Sequence, residues 1–246
     1  MNTNSNTYTI VYASVMVIIV AFLLAFVSSS LKDKQNENVA LDKKKQILSA
    51  LNVDLKGADA AKLYSELVLQ EPILDYATGA VKAETGAFDV DSKTENAKPV
   101  QDRNIPLFVC QVDGATKYVL PVYGAGLWGP IWGYIALGTD MNTVKGIVLD
   151  HAGETPGLGA EITTPKHQAM YPGKTVYEGD AIVGVTLKKG GADKNNPHEV
   201  DAITGGTKTS DGVTAMISDC LNYYKPYFDA ARAAATVEAE SNTVNE

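Results

Sequence analysis

The chain has 246 residues, 45% hydrophobic and 20% charged, with 21 Lys+Arg against 29 Asp+Glu and a formal net charge of -8. That apolar content excludes a disordered chain, two cysteines are too few for a disulfide scaffold, and the acidic balance argues against nucleic-acid binding. The averages conceal an asymmetry: residues 1–31 contain no Asp, Glu, Lys or Arg, so every formal charge lies from Lys32 onward.

Within the charge-free stretch, Tyr8 to Val27 (YTIVYASVMVIIVAFLLAFV) reads as one helix of about 20 residues, or ~30 Å, which matches the hydrocarbon core of a bilayer. A cleaved signal peptide would instead carry a basic start, a shorter apolar core and a small-residue cleavage site. Met1 to Thr9 holds no Lys or Arg and the apolar run is long, so a retained transmembrane helix is expected over about 8–27. Lys32, Lys34, Lys43, Lys44 and Lys45 all follow it, which by the positive-inside rule favours a cytoplasmic domain. Acidic residues alternate with those lysines and blunt the signal.

Beyond the span, Asn38 to Leu51 and Ala60 to Leu69 place apolar residues at helical spacing and read as short amphipathic helices. The polar stretch Ala83 to Asn104 has little periodicity and reads as a surface excursion, open to mobility. From Pro106 the period becomes that of strands: PLFVCQV, an Asp113-Gly114 turn, KYVLPVY, IWGYIAL and VKGIVLD, together an antiparallel meander. Pro165 to Met170 reads as one or two helical turns and Ala181 to Leu187 as a strand. In the last helix, Ser210 to Ala234, the residues Val213, Met216, Ile217, Cys220, Leu221 and Tyr224 form one apolar face that must pack on the sheet. The expected fold is α+β, an antiparallel sheet packed with helices after one N-terminal transmembrane helix. The expected organisation is an N-terminal segment over 1–31, a domain over 32–235 and a tail over 236–246.

His151, His167 and His198 are scattered, lack metal-ligand spacing and read as surface or loop residues. Cys110 lies in an apolar strand and Cys220 on the apolar helix face, so both read as small buried hydrophobes, with a bridge between them left open. No G-x-S-x-G elbow and no dinucleotide fingerprint is present.

Two segments carry chemistry. In Gly153-Glu154-Thr155-Pro156-Gly157-Leu158-Gly159, Pro156 restricts the backbone while Gly157 and Gly159 free it, so amides can approach a flat ligand; an ordinary strand-ending turn has the same composition. In Asp201-Ala202-Ile203-Thr204-Gly205-Gly206-Thr207-Lys208-Thr209-Ser210, paired glycines and hydroxyls lead into a helix expected near Ser210 or Asp211. Such a start can cradle a phosphate, because first-turn amides are unpaired and the helix dipole favours negative charge. It is not a Walker A loop. The plainer alternative makes Thr209 or Ser210 an N-cap.

At these segments the chain resembles the covalent-flavin C subunit of the bacterial sodium-translocating NADH:quinone oxidoreductase. The likeness runs through the N-terminal span, LDKKKQILSAL (Leu41 to Leu51), GAGLWGPIWGYIAL (Gly124 to Leu137), NTVKGIV, GETPGLG and VDAITGGTKTS. The family's flavinylation motif is Asp, two residues, Ser or Thr, Gly, Ala, Thr, one residue, Ser or Thr. It is matched by Asp201, Thr204, Gly205, Thr207 and Thr209, with Gly206 where Ala is usual.

The resemblance implies FMN esterified through its phosphate to Thr207, with Lys208 and the helix start stabilising the charge. It implies that Thr155, Gly157, Leu158 and Gly159 contact the flavin with Glu154 nearby. Trp128 is a candidate wall for the ring, with core packing as the alternative, and Trp132 reads as a core residue. It further implies a separate Mg-dependent flavin transferase that uses FAD. The implied function is an electron relay from a membrane iron–sulfur centre to the FMN of the B subunit, in a complex that takes electrons from NADH, passes them to quinone and moves sodium through membrane subunits; the implied partners are the B subunit and the small membrane subunits. No NADH site is expected in this chain, and no catalytic residue or metal. The family places the flavin domain on the periplasmic side of the cytoplasmic membrane, against the lysine signal. Two rivals share features with this reading: the FMN-bearing G subunit of the ferredoxin:NAD oxidoreductase complex, and a membrane-anchored binding module without redox function.

Overall fold

The computed structural model describes residues 5–243, which fall into two units, Met1–Lys43 and Lys44–Glu246. Helix α1 spans Asn6–Ala50. In the first unit the apolar side chains of its membrane-length stretch, among them Ile10, Val17, Phe22, Leu24 and Phe26, stand exposed. A helix of a water-soluble domain buries one face. This one buries none of its most apolar 18-residue window and is long and apolar enough to cross a membrane once. The short helix expected over Asn38–Leu51 is not separate: neither Gly nor Pro occurs in α1 to interrupt it.

In the second unit the last turns of α1 bury Ile47, Leu48 and Ala50, and Asn52 then donates to the Lys145 carbonyl at 2.6 Å. Helix α2 (Ala60–Leu67) starts at Asp59, whose carboxylate accepts from the amides of Ala61 and Lys62. Strands β1 (Val68–Gln70), β2 (Ile73–Asp75), β3 (Val81–Ala83) and β4 (Asn104–Pro106) follow. The last three form a small sheet in the order β3-β2-β4. Between β3 and β4, the polar stretch read as an excursion is held locally. Helix α3 (Ser92–Asn96) is capped by Asp91, and Glu95 pairs with Lys98 at 2.8 Å while accepting from the Asn104 amide at 2.9 Å. Caps and ion pairs there take the place of an apolar stripe.

The meander is formed by β5 (Phe108–Val112), β6 (Ala115–Ala125), β7 (Pro130–Leu137) and β8 (Val144–His151). With β1 they make a five-stranded antiparallel sheet in the order β1-β5-β6-β7-β8. Asp113 and Gly114 both take positive φ (55 and 75°), the type I′ turn that an Asp-Gly pair favours. Helix α4 (Pro165–Gln168) is a single turn capped by Thr164. The strand expected over Ala181–Leu187 is divided: β9 (Tyr177–Glu178) pairs with β10 (Ala181–Ile182), whereas β11 (Thr186–Lys188) runs parallel to β12 (Glu199–Asp201). Gly184, at φ 70°, turns the chain between them, and a Cβ there would lie 3.2 Å from the backbone of Ser218.

Helix α5 (Thr207–Thr243) lies against β6. Its predicted stripe of Val213, Met216, Ile217, Cys220, Leu221 and Tyr224 is buried, and Phe228 extends it. Each of the Val, Ile, Leu, Met and Phe side chains among them contributes about 1.5–3 kcal/mol on burial. At Gly212 a Cβ would stand 2.2 Å from the Ala125 carbonyl oxygen, so only glycine allows the start of α5 to approach the end of β6. The α5 backbone continues to Thr243 through most of the segment expected as a tail; residues 244–246 lie outside the described part. Cys110 and Cys220 are buried as expected and unbridged.

Candidate functional site

The two segments singled out in the sequence lie together at the end of the sheet where α5 begins. Each is built on the same turn. The Leu158 amide donates to the Thr155 carbonyl at 3.1 Å, with Pro156 second in the turn and Gly157 third at φ 75°. The Gly206 amide donates to the Ile203 carbonyl at 3.0 Å, with Thr204 second and Gly205 third at φ 77°. A positive φ in the third position is the requirement of a type II turn, which glycine meets without steric cost. The turns are stacked: a Cβ on Gly205 would fall 2.6 Å from Leu158 Cδ2, and one on Gly206 would fall 3.3 Å from the Gly159 nitrogen.

Glu154 lies between them and is only 4% exposed. Its Oε2 accepts from the Thr209 hydroxyl at 2.5 Å and its Oε1 from the Trp128 amide at 2.9 Å. Its own amide donates to His151 Nδ1 at 3.1 Å. Burial would raise the carboxyl, but hydrogen bonds from Thr209 and from the Trp128 and Leu127 amides, with His151 nearby, bring it below the usual Glu value. It is an ionised carboxylate inside the protein.

Above it, the β6–β7 hairpin closes through Gly126-Leu127-Trp128-Gly129, where the Gly126 amide donates to the Gly129 carbonyl at 2.8 Å. Trp128 is 68% exposed and Leu127 and Leu158 also stand open to solvent, so Trp128 is not a core residue, whereas Trp132 is half-buried. The tip therefore offers an apolar face next to the polar turns.

The start of α5 differs from the sequence expectation. The helix begins at Thr207, three residues before Ser210, and its first backbone bond runs from the Ser210 amide to the Gly206 carbonyl at 2.9 Å. Gly206 thus precedes the helix, and Ser210 and Thr209 are inside it instead of capping it. The buried Ser210 hydroxyl accepts from the Ile203 amide at 3.0 Å, and buried Thr209 points to Glu154. Thr207 and Lys208, the first two helical residues, are exposed. The amides of a helix's first turn have no acceptor within the helix. Thr207 therefore presents its hydroxyl to solvent where backbone donors and the positive end of the helix dipole converge.

Other predicted residues fall around this centre. Asp201, at the end of β12, is exposed and accepts from the Ala192 amide at 2.7 Å, while Thr204 is exposed in its turn. Asp201, Thr204 and Gly157 also line a cleft of about 390 Å³ with Glu161, Thr164, Lys166, His167 and Met170. His167 corrects the sequence reading: it is 3% exposed, packs edge-on against Tyr171 at 5.4 Å, and burial pushes its imidazole down to about 4. Its α4 turn packs against β8, which period and composition do not reveal. Gly126 and His151 were not singled out as site residues. Gly126 sits beside a carboxylate distant in sequence, so no local signal marks it.

The FMN-binding domain model matches residues 126–222, a range that contains the Gly126–Gly129 tip, both turns and the start of α5. The C subunit of the Na(+)-translocating NADH-quinone reductase of Pasteurella multocida is 36% identical over 202 residues, covering 74% of this chain and 77% of that protein. Its counterpart in Haemophilus ducreyi is 31% identical over 252 residues, covering 95% and 97%. Among solved structures, the C subunit of the Parabacteroides distasonis reductase superposes with a TM-score of 0.74 at 36% identity, covering 80% of this chain and 96% of that one. NqrC of Shewanella oneidensis gives 0.68 at 28% identity, covering 77% and 96%. The shared fold and identities of 31% and 36% over most of both chains lead to one conclusion: the chain belongs to the family of the C subunit of the Na(+)-translocating NADH-quinone reductase.

Proposed function

We propose that this chain holds FMN as a phosphoester of Thr207 and serves a sodium-translocating NADH:quinone oxidoreductase as an electron relay. Its electron donor is a membrane iron–sulfur centre and its acceptor is the FMN of the B subunit. The observation that carries the proposal is the exposed Thr207 hydroxyl at the first residue of α5, inside the matched FMN-binding domain. The residues fit a phosphate ester. Gly205 and Gly206 add no side chain of their own before the helix start, the first-turn amides supply donors, and Lys208 supplies a cation. FMN, when bound, supplies electron transfer one electron at a time.

The chain's own residues do the rest. Thr207 tethers, so occupancy no longer depends on flavin concentration. Leu158 and Trp128 offer apolar surface to an aromatic ring, Thr155 and Gly157 shape the first turn, and Gly159 brings it against the second. Maturation requires a flavin transferase acting on FAD. A bond forms between Thr207 Oγ1 and the FMN phosphorus, the pyrophosphate bond breaks, AMP leaves, and the threonine proton is lost to the transferase or solvent. Asp201 and Thr204, both exposed beside Thr207 in sequence, are the side chains offered to that enzyme. The flavin domain is assigned to the periplasmic side, where a reporter fused after Glu246 is active only if it functions outside the cytoplasm.

Denaturing electrophoresis of the chain made together with the transferase tests the tether. The expected result is a fluorescent band that vanishes in Thr207→Ala; a dark wild-type band in the presence of active transferase rejects it.

A further inference from the structure

We infer that Glu154 is a positioning residue: its buried carboxylate ties the Leu127–Trp128 tip to the first turn of the flavin-bearing helix and places a fixed negative charge at their junction. The inference rests on the proposed tether at Thr207 for its redox consequence, but its geometry stands in the flavin-free chain.

Three separate parts of the sequence meet on this side chain. The Trp128 amide donates to Oε1 at 2.9 Å, and the Thr209 hydroxyl donates to Oε2 at 2.5 Å. Trp128 carries the exposed apolar tip, and Thr209 lies one helical position beyond Lys208, two beyond Thr207. The tip and the first helical turn are therefore linked through one side chain. Space for the carboxylate is made by two glycines from different loops. A Cβ on Gly126 would sit 2.4 Å from Oε1, and a Cβ on Gly159 would sit 2.2 Å from Oε2 and 2.4 Å from Thr209 Oγ1. A carboxylate accepts at both oxygens, whereas a glutamine amide keeps the acceptor that the Trp128 amide needs and offers its NH2 to the Thr209 hydroxyl, which also accepts. Burial alone would disfavour that charge, and the converging hydrogen bonds retain it.

This arrangement separates two groups of residues. Thr207, Leu127, Trp128 and Leu158 are exposed and free to meet a cofactor, whereas Glu154, Thr209 and Ser210 are buried and act through the others. A negative charge held beside a flavin opposes the arrival of an electron, so its removal makes reduction easier. Glu154 thus bears on both the placement of the tip and the ease of reduction.

The test uses the full chain in detergent, prepared with and without the flavin transferase. In flavin-free protein, the Trp128 amide should exchange with solvent at least tenfold faster in Glu154→Ala than in wild type, and Glu154→Gln should restore most of the protection. Gly159→Ala should accelerate the same exchange when Glu154 is present and add little in Glu154→Ala, whose vacated space accepts the new methyl. In flavin-loaded protein, Glu154→Gln should keep the fluorescent band and shift the flavin midpoint potential upward. Unchanged Trp128 exchange in Glu154→Ala overturns the positioning role, and an unchanged potential in flavin-loaded Glu154→Gln overturns the charge. Should Glu154→Ala fail to fold, the Gly159→Ala measurement in the wild-type background carries the positioning test: unchanged exchange there overturns it. A dark wild-type band, by contrast, rejects the tether at Thr207 and leaves the exchange measurements to decide the positioning role.

Discussion

The Thr155–Leu158 turn and the Ile203–Gly206 turn have the same backbone plan, a positive-φ glycine in third place, yet they are anchored differently. The first follows a buried carboxylate whose hydrogen bonds reach two other elements. The second leads to an exposed threonine on the first residue of a long helix, with the buried Ser210 hydroxyl holding the approach from behind. One loop holds the local structure, and the other offers a reactive group. The contrast is sharpest between Thr207 and Thr209, two residues apart on one helical turn. Thr209 is 1% exposed and its hydroxyl is committed to Glu154; Thr207 faces solvent. Of these two hydroxyls, only the one at Thr207 is accessible to a modifying enzyme.

Substitutions on either side of this divide should give opposite signatures. Thr207→Ala is expected to abolish covalent flavin on a denaturing gel while changing stability by no more than about 0.5 kcal/mol, as for an exposed side chain. Gly159→Ala should do the reverse, costing about 3 kcal/mol in urea unfolding because its methyl meets both Glu154 and Thr209, at the upper end for overpacked sites. Thr209→Val removes one donor from the buried carboxylate and is expected to cost about 2 kcal/mol, with covalent flavin retained. If Thr209→Val also lost the flavin without loss of fold, the division between the two threonines would fail.

The pH dependence sharpens the same point. The Glu154 carboxyl is lowered in the folded chain, so its contribution to stability is complete above the unfolded Glu value of about 4.3 and is lost as pH falls through the lower folded value. The stability difference between wild type and Glu154→Gln should therefore be constant near neutrality and shrink on acidification, a change urea titrations at several pH values can follow. Trp128→Ala should have the smallest effect on stability, within about 0.5 kcal/mol, because the ring is exposed; a change in flavin emission without loss of the fluorescent band would place the ring beside the cofactor.

Much of this was legible before folding. The alternation in β5 to β8 and the Asp113-Gly114 turn give the meander, because side-chain period and turn chemistry are local properties. The stripe from Val213 to Tyr224 gives the packed face of α5 for the same reason. Less legible was the helix start. Thr207-Lys208-Thr209 carries no strong cap of its own, and the helix begins there because Ser210 takes the Ile203 amide and Thr209 finds Glu154. His167 looked like a loop residue because nothing in its neighbours announces the contact of α4 with β8. The division at Gly184 followed from the close approach of Ser218, 34 residues on.

The amino-acid sequence by itself determined the charge-free apolar helix, the antiparallel meander, the apolar face of α5 and the two glycine-bearing turns, since each depends on neighbours a few residues apart. Tertiary structure decided which hydroxyl is offered and which is enclosed. That choice depends on Glu154, 55 residues from Thr209, being buried where two glycines leave it room. A buried charge must find donors wherever the fold brings them, and no local pattern records which ones those are.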